Sequence, residues 1–332
     1  MAKWYLGEGE QNDVVISTRI RLARNLAEYP FPAKLDTKTR IEVNEAVRDA
    51  VPAGAHLQYI EMKTLTQAQM VSMAEKHLIS PEFASSADGR ALLLSDDEEI
   101  SIMLNEEDHI RLQVMKPGLA LSEAYAEADK LDTAINDKLR FAFNTHLGYL
   151  TECPTNLGTG MRASVMLHLP ALTALGRVGT LAATVSKLGL TIRGAYGEGS
   201  APSGDLYQIS NQVTLGISEK AAIENLKTIV LQLAAQERAA RTELFKSLDT
   251  EDAIFRAYGI LKSARILNTK EFMSLASKVR MGAVGGLLQI DAKVINELMF
   301  ALQPAGIHVM VGKTLDARER DIERAKIVRE RL

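Results

Sequence analysis

The amino-acid sequence predicts an α+β protein, in which an antiparallel β-sheet flanked by helices is followed by an all-helical C-terminal domain. Three apolar runs in residues 91–115 are joined by connections too short for crossover helices, which predicts antiparallel neighbouring strands. A long helical pattern opens at Ser218. From residue 249 onward the pattern is helical throughout. We therefore predict two domains, residues 1–248 and 249–332.

Composition and charge narrow the class of protein. The chain has 332 residues, of which 46% are apolar and 24% charged, values typical of a globular protein with a real core. The net charge of −3 gives no basic field that would attract nucleic acid. The single cysteine, Cys153, excludes a disulfide framework and a cysteine-based zinc site. No run resembles a signal peptide or a membrane span, so we expect a cytoplasmic protein without membrane or direct nucleic-acid contacts.

The first predicted strand, residues 13–24, carries Arg19 and Arg21 two positions apart. Side chains at this spacing share one face of a strand, and two adjacent guanidinium groups repel unless an anion lies between them. An exposed edge strand would also tolerate the pair. The alternative is a phosphate clamp. A second strand is predicted at 57–65, followed by a helix at 66–79 whose end holds His77, a position typical of a cap or surface histidine.

Three strands are predicted at 91–94, 100–104 and 109–115. The turn between the last two reads Asn-Glu-Glu-Asp-His-Ile-Arg, residues 105–111, and contains neither Gly nor Pro. A solvated acidic turn is the simple interpretation. The strand that follows should be half-buried, so Arg111 and Glu107 are candidate site residues instead.

Two polar loops follow further along the chain. A helix at 121–139 and a hairpin at 141–150 lead to a Gly/Thr/Asn-rich loop that opens at Cys153 and ends near Arg162. A helix at 178–188 and a strand containing Arg193 lead to a Gly/Ser/Pro loop that holds the lone carboxylate Glu198. A strand at 205–216 comes next. The simpler interpretations are that Cys153 is a small buried apolar side chain and that Glu198 is an ordinary loop residue.

The C-terminal helices are predicted to break near Gly259, Asn268, residues 282–286, Pro304 and Gly312. The last helix is dense in charge, which is typical of a solvated face. The Gly-Lys-Thr sequence at 312–314 is no phosphate-binding P-loop, because the required first glycine position is occupied by an isoleucine. The six histidines show no metal-ligand spacing, so no metal site is expected on the protein.

Together the arginines and the two isolated carboxylates suggest a phosphoryl transfer. The five arginines, each beside a loop or strand end, suit a triphosphate with about four negative charges; they are Arg19, Arg21, Arg111, Arg162 and Arg193. Glu107 and Glu198 suggest a cationic acceptor, and a planar guanidinium pairs well with carboxylates. A guanidinium has a pKa above about 12, so its proton must leave as the N–P bond forms.

Three segments, together with the arginine pair before them, resemble the phosphagen (guanidino) kinases. They are the NEEDH-x-R, CPTN-x-GTG-x-R and RG-x-x-GE motifs at residues 105–111, 153–162 and 193–198. Within that group the chain is most similar to the bacterial protein arginine kinases, the McsB family. The resemblance implies the phosphagen kinase / glutamine synthetase-like catalytic fold, with ATP and with Mg²⁺ held through phosphates and water.

The resemblance also implies residue roles. Glu107 and Glu198 hold the acceptor guanidinium, with Glu107 as the base, and Cys153 lies beside that guanidinium. The five arginines bind the ATP phosphates, and His77 stacks on adenine. The sequence departs from the small-guanidino kinases at Met166, which replaces a histidine, and in the expected absence of their separate N-terminal helical domain. The expected absence of that domain, together with a helical C-terminal domain, is the layout of the protein arginine kinases, whose acceptor is arginine in a polypeptide.

In the C-terminal domain, residues 320–325 resemble the RD-x-x-RA motif of the protein arginine kinases. This resemblance implies an allosteric phosphoarginine site at Arg320, Asp321 and Arg324, and a domain that mediates dimerisation. The implied partners are protein substrates with exposed arginine, a heat-shock transcription repressor, a zinc-binding activator protein and a Clp ATPase/protease. The implied role is a stress response in which phosphorylated proteins are marked for Clp-type proteolysis and the repressor is regulated.

Two alternatives stay open at this point. A kinase of a free guanidino metabolite would use the same motifs, and activity on free arginine would favour it. A catalytically silent adaptor that binds phosphoarginine would predict a damaged site, whereas both glutamates and all five arginines are present.

Overall fold

The computed structural model describes residues 3–195 and 202–332. Within these residues an eight-stranded sheet and a two-stranded hairpin account for the named strands. The strands are Val15–Arg24 (β1), Leu57–Glu61 (β2), Ala91–Ser95 (β3), Ile100–Leu104 (β4), Ile110–Pro117 (β5), Phe143–Asn144 (β6), Gly148–Tyr149 (β7), Met161–His168 (β8), Leu190–Gly194 (β9) and Leu206–Asn211 (β10). All of these pairs are antiparallel, as the sequence predicts.

The large sheet has the order β2-β3-β4-β5-β1-β8-β10-β9, which places β1 in its interior between β5 and β8. Along β1 the side chains alternate. Ile20 and Leu22 are buried on one face, while Arg19 and Arg21 stand partly exposed on the other. The alternation expected from the sequence is therefore confirmed, and it separates an apolar face from a cationic one.

Twelve helices are found in the described part of the chain. They are Thr37–Ala50 (α1), Gln67–Glu75 (α2), Pro81–Ala84 (α3), Leu121–Asn136 (α4), Pro170–Ala174 (α5), Val178–Ser186 (α6), Glu219–Leu244 (α7), Leu248–Ser263 (α8), Thr269–Val284 (α9), Ala292–Ala301 (α10), Pro304–Val311 (α11) and Ala317–Arg331 (α12). Helix α4 packs on β1 and β5, and α7 packs on β8 and β10. These two helices supply the apolar layer against the sheet.

Several boundaries differ from the sequence expectations for physical reasons. Helix α1 was not expected, although Val43, Val47 and Ala50 recur on its buried side and the Asp36 side chain accepts the N–H of Thr39 at its start. Strand β8 was also missed, because its apolar run follows directly on a glycine-rich loop. The expected break at Gly259 is wrong.

The helices after α7 follow the expected breaks at Asn268, Pro304 and Gly312. The Asn268 side chain accepts the N–H of Glu271, Pro304 starts α11, and Gly312 ends that helix with a φ of 73°. The division near residue 248 stays a prediction. No single helix in residues 3–195 and 202–332 meets the length and apolarity needed to cross a membrane; α10 and α11 meet them only as a pair bent by 88°.

Candidate active site

The arginines gather on the open face of the sheet. Arg21 on β1 lies in register with Arg162 on β8, and Arg111 on β5 lies in register with the residue two after Arg21. Arg193 comes from β9. They line a cavity of about 660 Å³ together with Arg19. A cavity of this volume falls in the range of small-molecule sites. We call these five arginines the arginine cradle.

The cradle brings like charges together inside the protein. Burial, followed by the neighbouring Arg111 and Arg162, lowers the pKa of Arg19 to about 9. Burial, followed by Arg19, Arg111 and Arg162, lowers the pKa of Arg21 well below its usual value. The Nε of Arg21 is buried without a hydrogen-bond partner among the described residues. Such an arrangement favours a bound polyanion, which would relieve the repulsion and supply acceptors.

One member of the cradle already has an anionic partner. Nη1 of Arg111 donates to Oε1 of Glu106 at 2.7 Å and to Oε2 at 2.5 Å. The Ser80 hydroxyl also donates to Glu106. Although burial raises the pKa of Glu106, Arg111 and these hydrogen bonds hold it below its usual value. Arg111 is thus fixed in place, which orients it toward the cavity.

A second cavity, of about 330 Å³, adjoins the first and holds the acidic turn. Arg21, Arg111 and Arg162 line both cavities, and Glu107 and Cys153 line the second one. Burial, then the charges of Asp108 and Glu106, raises the pKa of Glu107, while Arg111 and a hydrogen bond from Cys153 act in the opposite direction. The three arginines therefore form the boundary between the two cavities, and the Glu107 carboxylate lies in the second cavity beside them.

The turn that presents Glu107 is held by its neighbours. Asn105, in the left-handed region with a φ of 60°, donates to the carbonyl of Arg40 and to the side chain of Asn44. Asp108 accepts from Asn25 at 2.6 Å. These bonds explain why a turn without Gly or Pro keeps one shape.

His109 completes the turn. Its Nδ1 accepts the N–H of Leu26 at 3.1 Å, and its Nε2 lies 3.0 Å from the carbonyl of Pro30. Burial lowers its pKa to about 4, so the ring is neutral at pH 7 and Nε2 carries the proton it donates. His109 is therefore a structural residue.

The Cys153 loop closes the other side of the second cavity. Residues Pro154–Asn156 form a short 3₁₀ turn, and Thr214 donates to the carbonyls of Thr155 and Leu157 at 3.0 and 2.7 Å. A side chain on Gly158, which has a φ of 109°, would come within 2.3 Å of the Thr214 carbonyl oxygen. Glycine is thus required for the close approach of these two segments.

His77 lies two residues beyond the end of α2, with a φ of 59°, and lines the cradle cavity. Its ring is 6.4 Å from that of Trp4 and 6.2 Å from that of Phe300. Burial, then Arg19 and Arg21, lowers its pKa to about 3. A neutral aromatic ring at this place is suited to contact a nucleobase. Glu198, the second carboxylate expected from the sequence, lies outside the described residues.

Comparison with known proteins agrees with this geometry. Residues 39–240 match the family model of the ATP:guanido phosphotransferase C-terminal catalytic domain, and residues 247–332 match that of the protein-arginine kinase McsB C-terminal domain. The protein-arginine kinase of Halothermothrix orenii is 46% identical over 337 residues, covering 100% of this chain and 97% of the relative. The chain belongs to the protein-arginine kinase family. The protein-arginine kinase of Desulforamulus reducens is 46% identical over 340 residues, covering 100% of this chain and 95% of the relative.

Solved structures place this protein-arginine kinase family member among the phosphagen kinase-like folds. The crystal structure of lombricine kinase has a TM-score of 0.62 and 26% identity, covering 73% of this chain and 70% of that one. The duplicated taurocyamine kinase from Schistosoma mansoni has a TM-score of 0.63 and 24% identity, covering 80% and 40%. The predicted fold is therefore confirmed.

Two polar side chains that line these cavities were not expected from the sequence. Glu106 anchors Arg111, and Ser80, at the start of α3, donates to Glu106. The only signal for Glu106 was its place in the same heptapeptide as Glu107. No sequence signal pointed to Ser80, because 26 residues separate it from its partner. Within the described residues, no group of three or more His, Cys, Asp or Glu side chains could hold a metal ion.

The candidate allosteric residues lie on α12. Nη1 of Arg320 is 3.3 Å from Nε2 of His308 on α11 and donates to the carbonyl of Leu315 at 3.2 Å. Arg324 is fully buried. It donates to the carbonyl of Leu267 at 2.7 Å and to Asp321 at 2.6 Å. Arg320 and Asp321 are thus the members that reach solvent.

Proposed function

We propose that the chain transfers the γ-phosphoryl group of ATP to the guanidinium of an arginine residue in a protein substrate. The observation that carries this proposal is the junction of the two cavities. Arg21, Arg111 and Arg162 line both, so a phosphate held by them would lie next to the cavity that Glu107 and Cys153 line. Phosphoryl transfer depends mainly on such positioning and on charge stabilisation.

The arginine cradle would hold the triphosphate. Arg19, Arg21, Arg111, Arg162 and Arg193 supply fixed donors to the phosphate oxygens, and His77 would stack on adenine. Because five arginines line this cavity, an Mg²⁺ ion would be held through the phosphates and water. When bound, that ion offsets part of the phosphate charge.

At the acceptor side, a guanidinium nitrogen attacks the γ-phosphorus. The N–P bond forms while the bond from phosphorus to the β–γ bridging oxygen breaks, and ADP leaves with that electron pair. The proton on the attacking nitrogen passes to Glu107. The raised pKa of this carboxyl group brings it closer to a useful base, and general-base help is worth about 10²–10⁴ in rate. Cys153 and Glu198 would orient the acceptor beside Glu107.

The proposal also includes a regulatory site and several assignments that follow from the family. Arg320 and Asp321 would bind phosphoarginine away from the active site, with Arg324 holding Asp321 in place. Because the chain belongs to this family, we also propose that it is a cytoplasmic homodimer that uses Mg-ATP. It would mark substrates for a Clp ATPase/protease and regulate a heat-shock transcription repressor. A zinc-binding activator protein would act with the kinase.

The experiment that tests the reaction compares Glu107→Gln with the wild-type protein. Each is incubated with Mg-ATP and either a disordered protein or free arginine, and the label is tested for acid lability and mapped by mass spectrometry. We expect the wild-type protein to place acid-labile phosphate on protein arginine. In the variant the rate of phosphorylation should fall about 10²–10⁴-fold, while ATP binding is kept. Full turnover by the variant would refute the role of Glu107.

Other outcomes of the same assay separate the alternatives. Label on free arginine alone would favour a kinase of a free guanidino metabolite. No label with either acceptor, even after the activator protein is added, would favour a catalytically silent phosphoarginine-binding adaptor.

A further inference from the structure

Glu75, the last residue of α2, lies in the wall of the cradle cavity, yet its carboxylate is bonded to the helical part of the chain. Both of its oxygens accept the backbone N–H of Ala305 at 3.0 Å, and Oε2 also accepts that of Gly306 at 2.9 Å. These two N–H groups belong to the first turn of α11, where the helix dipole favours a negative charge.

The start of α11 is seated tightly. Pro304 occupies its first position, where the fixed φ of proline suits a helix. A side chain on Gly306 would come within 2.4 Å of the carbonyl oxygen of Ala301, at the end of α10. Glycine is therefore required for this close approach of α11 to the end of α10, beside the N–H groups that bind Glu75.

His77 lies two residues after Glu75 and contacts the same part of the molecule. The ring of His77 lies 6.2 Å from Phe300 of α10, and that of Trp4 lies 5.0 Å from Phe300. Two successive side chains of the cavity wall are thus placed by α10 and α11. The nucleotide cavity is completed by the helical part rather than by the sheet alone.

We propose that Glu75 is a positioning residue through which α11 sets the affinity of the nucleotide cavity. Its contact with Ala305 and Gly306 fixes the end of α2 and thereby the place of the His77 ring against the base. The proposal rests on the proposed nucleotide site. Glu75 acts through α2 and takes no part in the transfer, so the expected effect is on ATP binding and not on the rate at saturation.

The test measures Mg-ATP binding by calorimetry and steady-state kinetics in two variants. Glu75→Gln removes the charge from the α11 terminus, and Gly306→Ala disturbs the same contact from the other side. We expect each to raise the ATP Kd and KM about 3- to 30-fold, with kcat at saturating ATP unchanged. The double variant should show less than the product of the two effects, because both break one contact.

The matched control is Glu271→Gln, which removes a carboxylate from the first turn of α9 at an exposed position. It should leave ATP binding unchanged. A lower melting temperature in Glu75→Gln with an unaltered ATP Kd would overturn the proposal, since that is the behaviour of a merely structural contact. Fully multiplicative effects in the double variant would also overturn it. If the wild-type protein itself fails to bind Mg-ATP, the nucleotide assignment fails first and this inference with it.

Discussion

Two regions of the molecule hold arginine side chains wholly or partly away from solvent, and the groups around the charge differ between them. Arg280 in α9 is fully buried and satisfied: it donates to the carbonyls of Asn12 and Asp13, to Nδ1 of His168, and to Asn296 at 2.7 Å. Burial lowers its pKa to about 10, but the charge of Asp13 opposes that shift. In the arginine cradle, the neighbours of Arg19 and Arg21 are mostly other arginines.

The difference distinguishes a structural arginine from one that we propose to bind a ligand. A guanidinium surrounded by carbonyl oxygens contributes to the fold, because its removal leaves buried acceptors without donors. A guanidinium surrounded by guanidinium groups destabilises the empty protein and has its acceptors supplied by a ligand. Burial alone does not distinguish the two cases; the partners do.

The largest expected effect is on the satisfied arginine. Arg280→Met should lower the free energy of unfolding by about 3–5 kcal/mol, because Nδ1 of His168, which is buried, and the partly buried carbonyl groups of Asn12 and Asp13 lose their donor. Urea denaturation measures this loss. Lys278→Met, at an exposed position of the same helix, should leave stability unchanged. An Arg280 variant as stable as the wild type would break the comparison.

Removal of a cradle arginine should affect activity instead. We expect Arg21→Met to lower kcat/KM for protein phosphorylation by about 10²–10³-fold, the usual cost of one preorganised donor. Its urea midpoint should stay equal to that of the wild type or rise, since repulsion with Arg19 and Arg111 is removed. A marked loss of stability would show that Arg21 is structural after all.

A polyanion should stabilise the cradle without any chemistry. Inorganic tripolyphosphate at about 100 times its Kd should raise the free energy of unfolding by about 2.7 kcal/mol. Thermal unfolding followed with and without the anion measures this increment. It should shrink in Arg21→Met and persist in Arg280→Met, whose baseline is lower. Equal increments in both variants would place the anion elsewhere.

The smallest expected effect extends the comparison to two adjacent carboxylates. Glu106 is paired, and Arg111 keeps its pKa low, whereas burial and neighbouring charges raise the pKa of Glu107 above the ordinary value of 4.5. A base must be deprotonated, so kcat/KM should fall with decreasing pH at a higher pH than an ordinary glutamate would give. Cys153→Ala removes a hydrogen bond that lowers this pKa, so the acid limb should move further up. If the acid limb of the pH profile did not move in Cys153→Ala, a hydrogen bond between Cys153 and Glu107 would be excluded.

The sequence predicts local and periodic features well. The two-residue spacing of Arg19 and Arg21 predicts their common face, and the short connections in residues 91–115 predict the antiparallel order of β3, β4 and β5. Asparagine marks the start of α9 and proline the start of α11, because their effects on the backbone are local. These signals act over a few residues and can be read without the fold.

Contacts between distant segments could not be predicted in the same way. The register of Arg21 with Arg162 depends on β8, which no local sequence pattern predicted. The bond between Ser80 and Glu106 and that between Glu75 and Ala305 depend on how whole elements pack. The family motifs indicated which residues matter near the site, but they gave no partner for Arg111.

The segment before β1 has a consequence for how the chain folds. Trp4, fully buried, packs on Phe300, and Asn12 and Asp13 bind Arg280, so the first and last parts of the sequence meet in one core. Contacts this distant in sequence raise the contact order, which slows folding because a long loop must close first. During synthesis from the N-terminus, the sheet can form early, but the Trp4 side chain has no place to dock until α10 has been made. We therefore expect the contacts of His77 with Trp4 and Phe300, in the wall of the cradle cavity, to form late in synthesis.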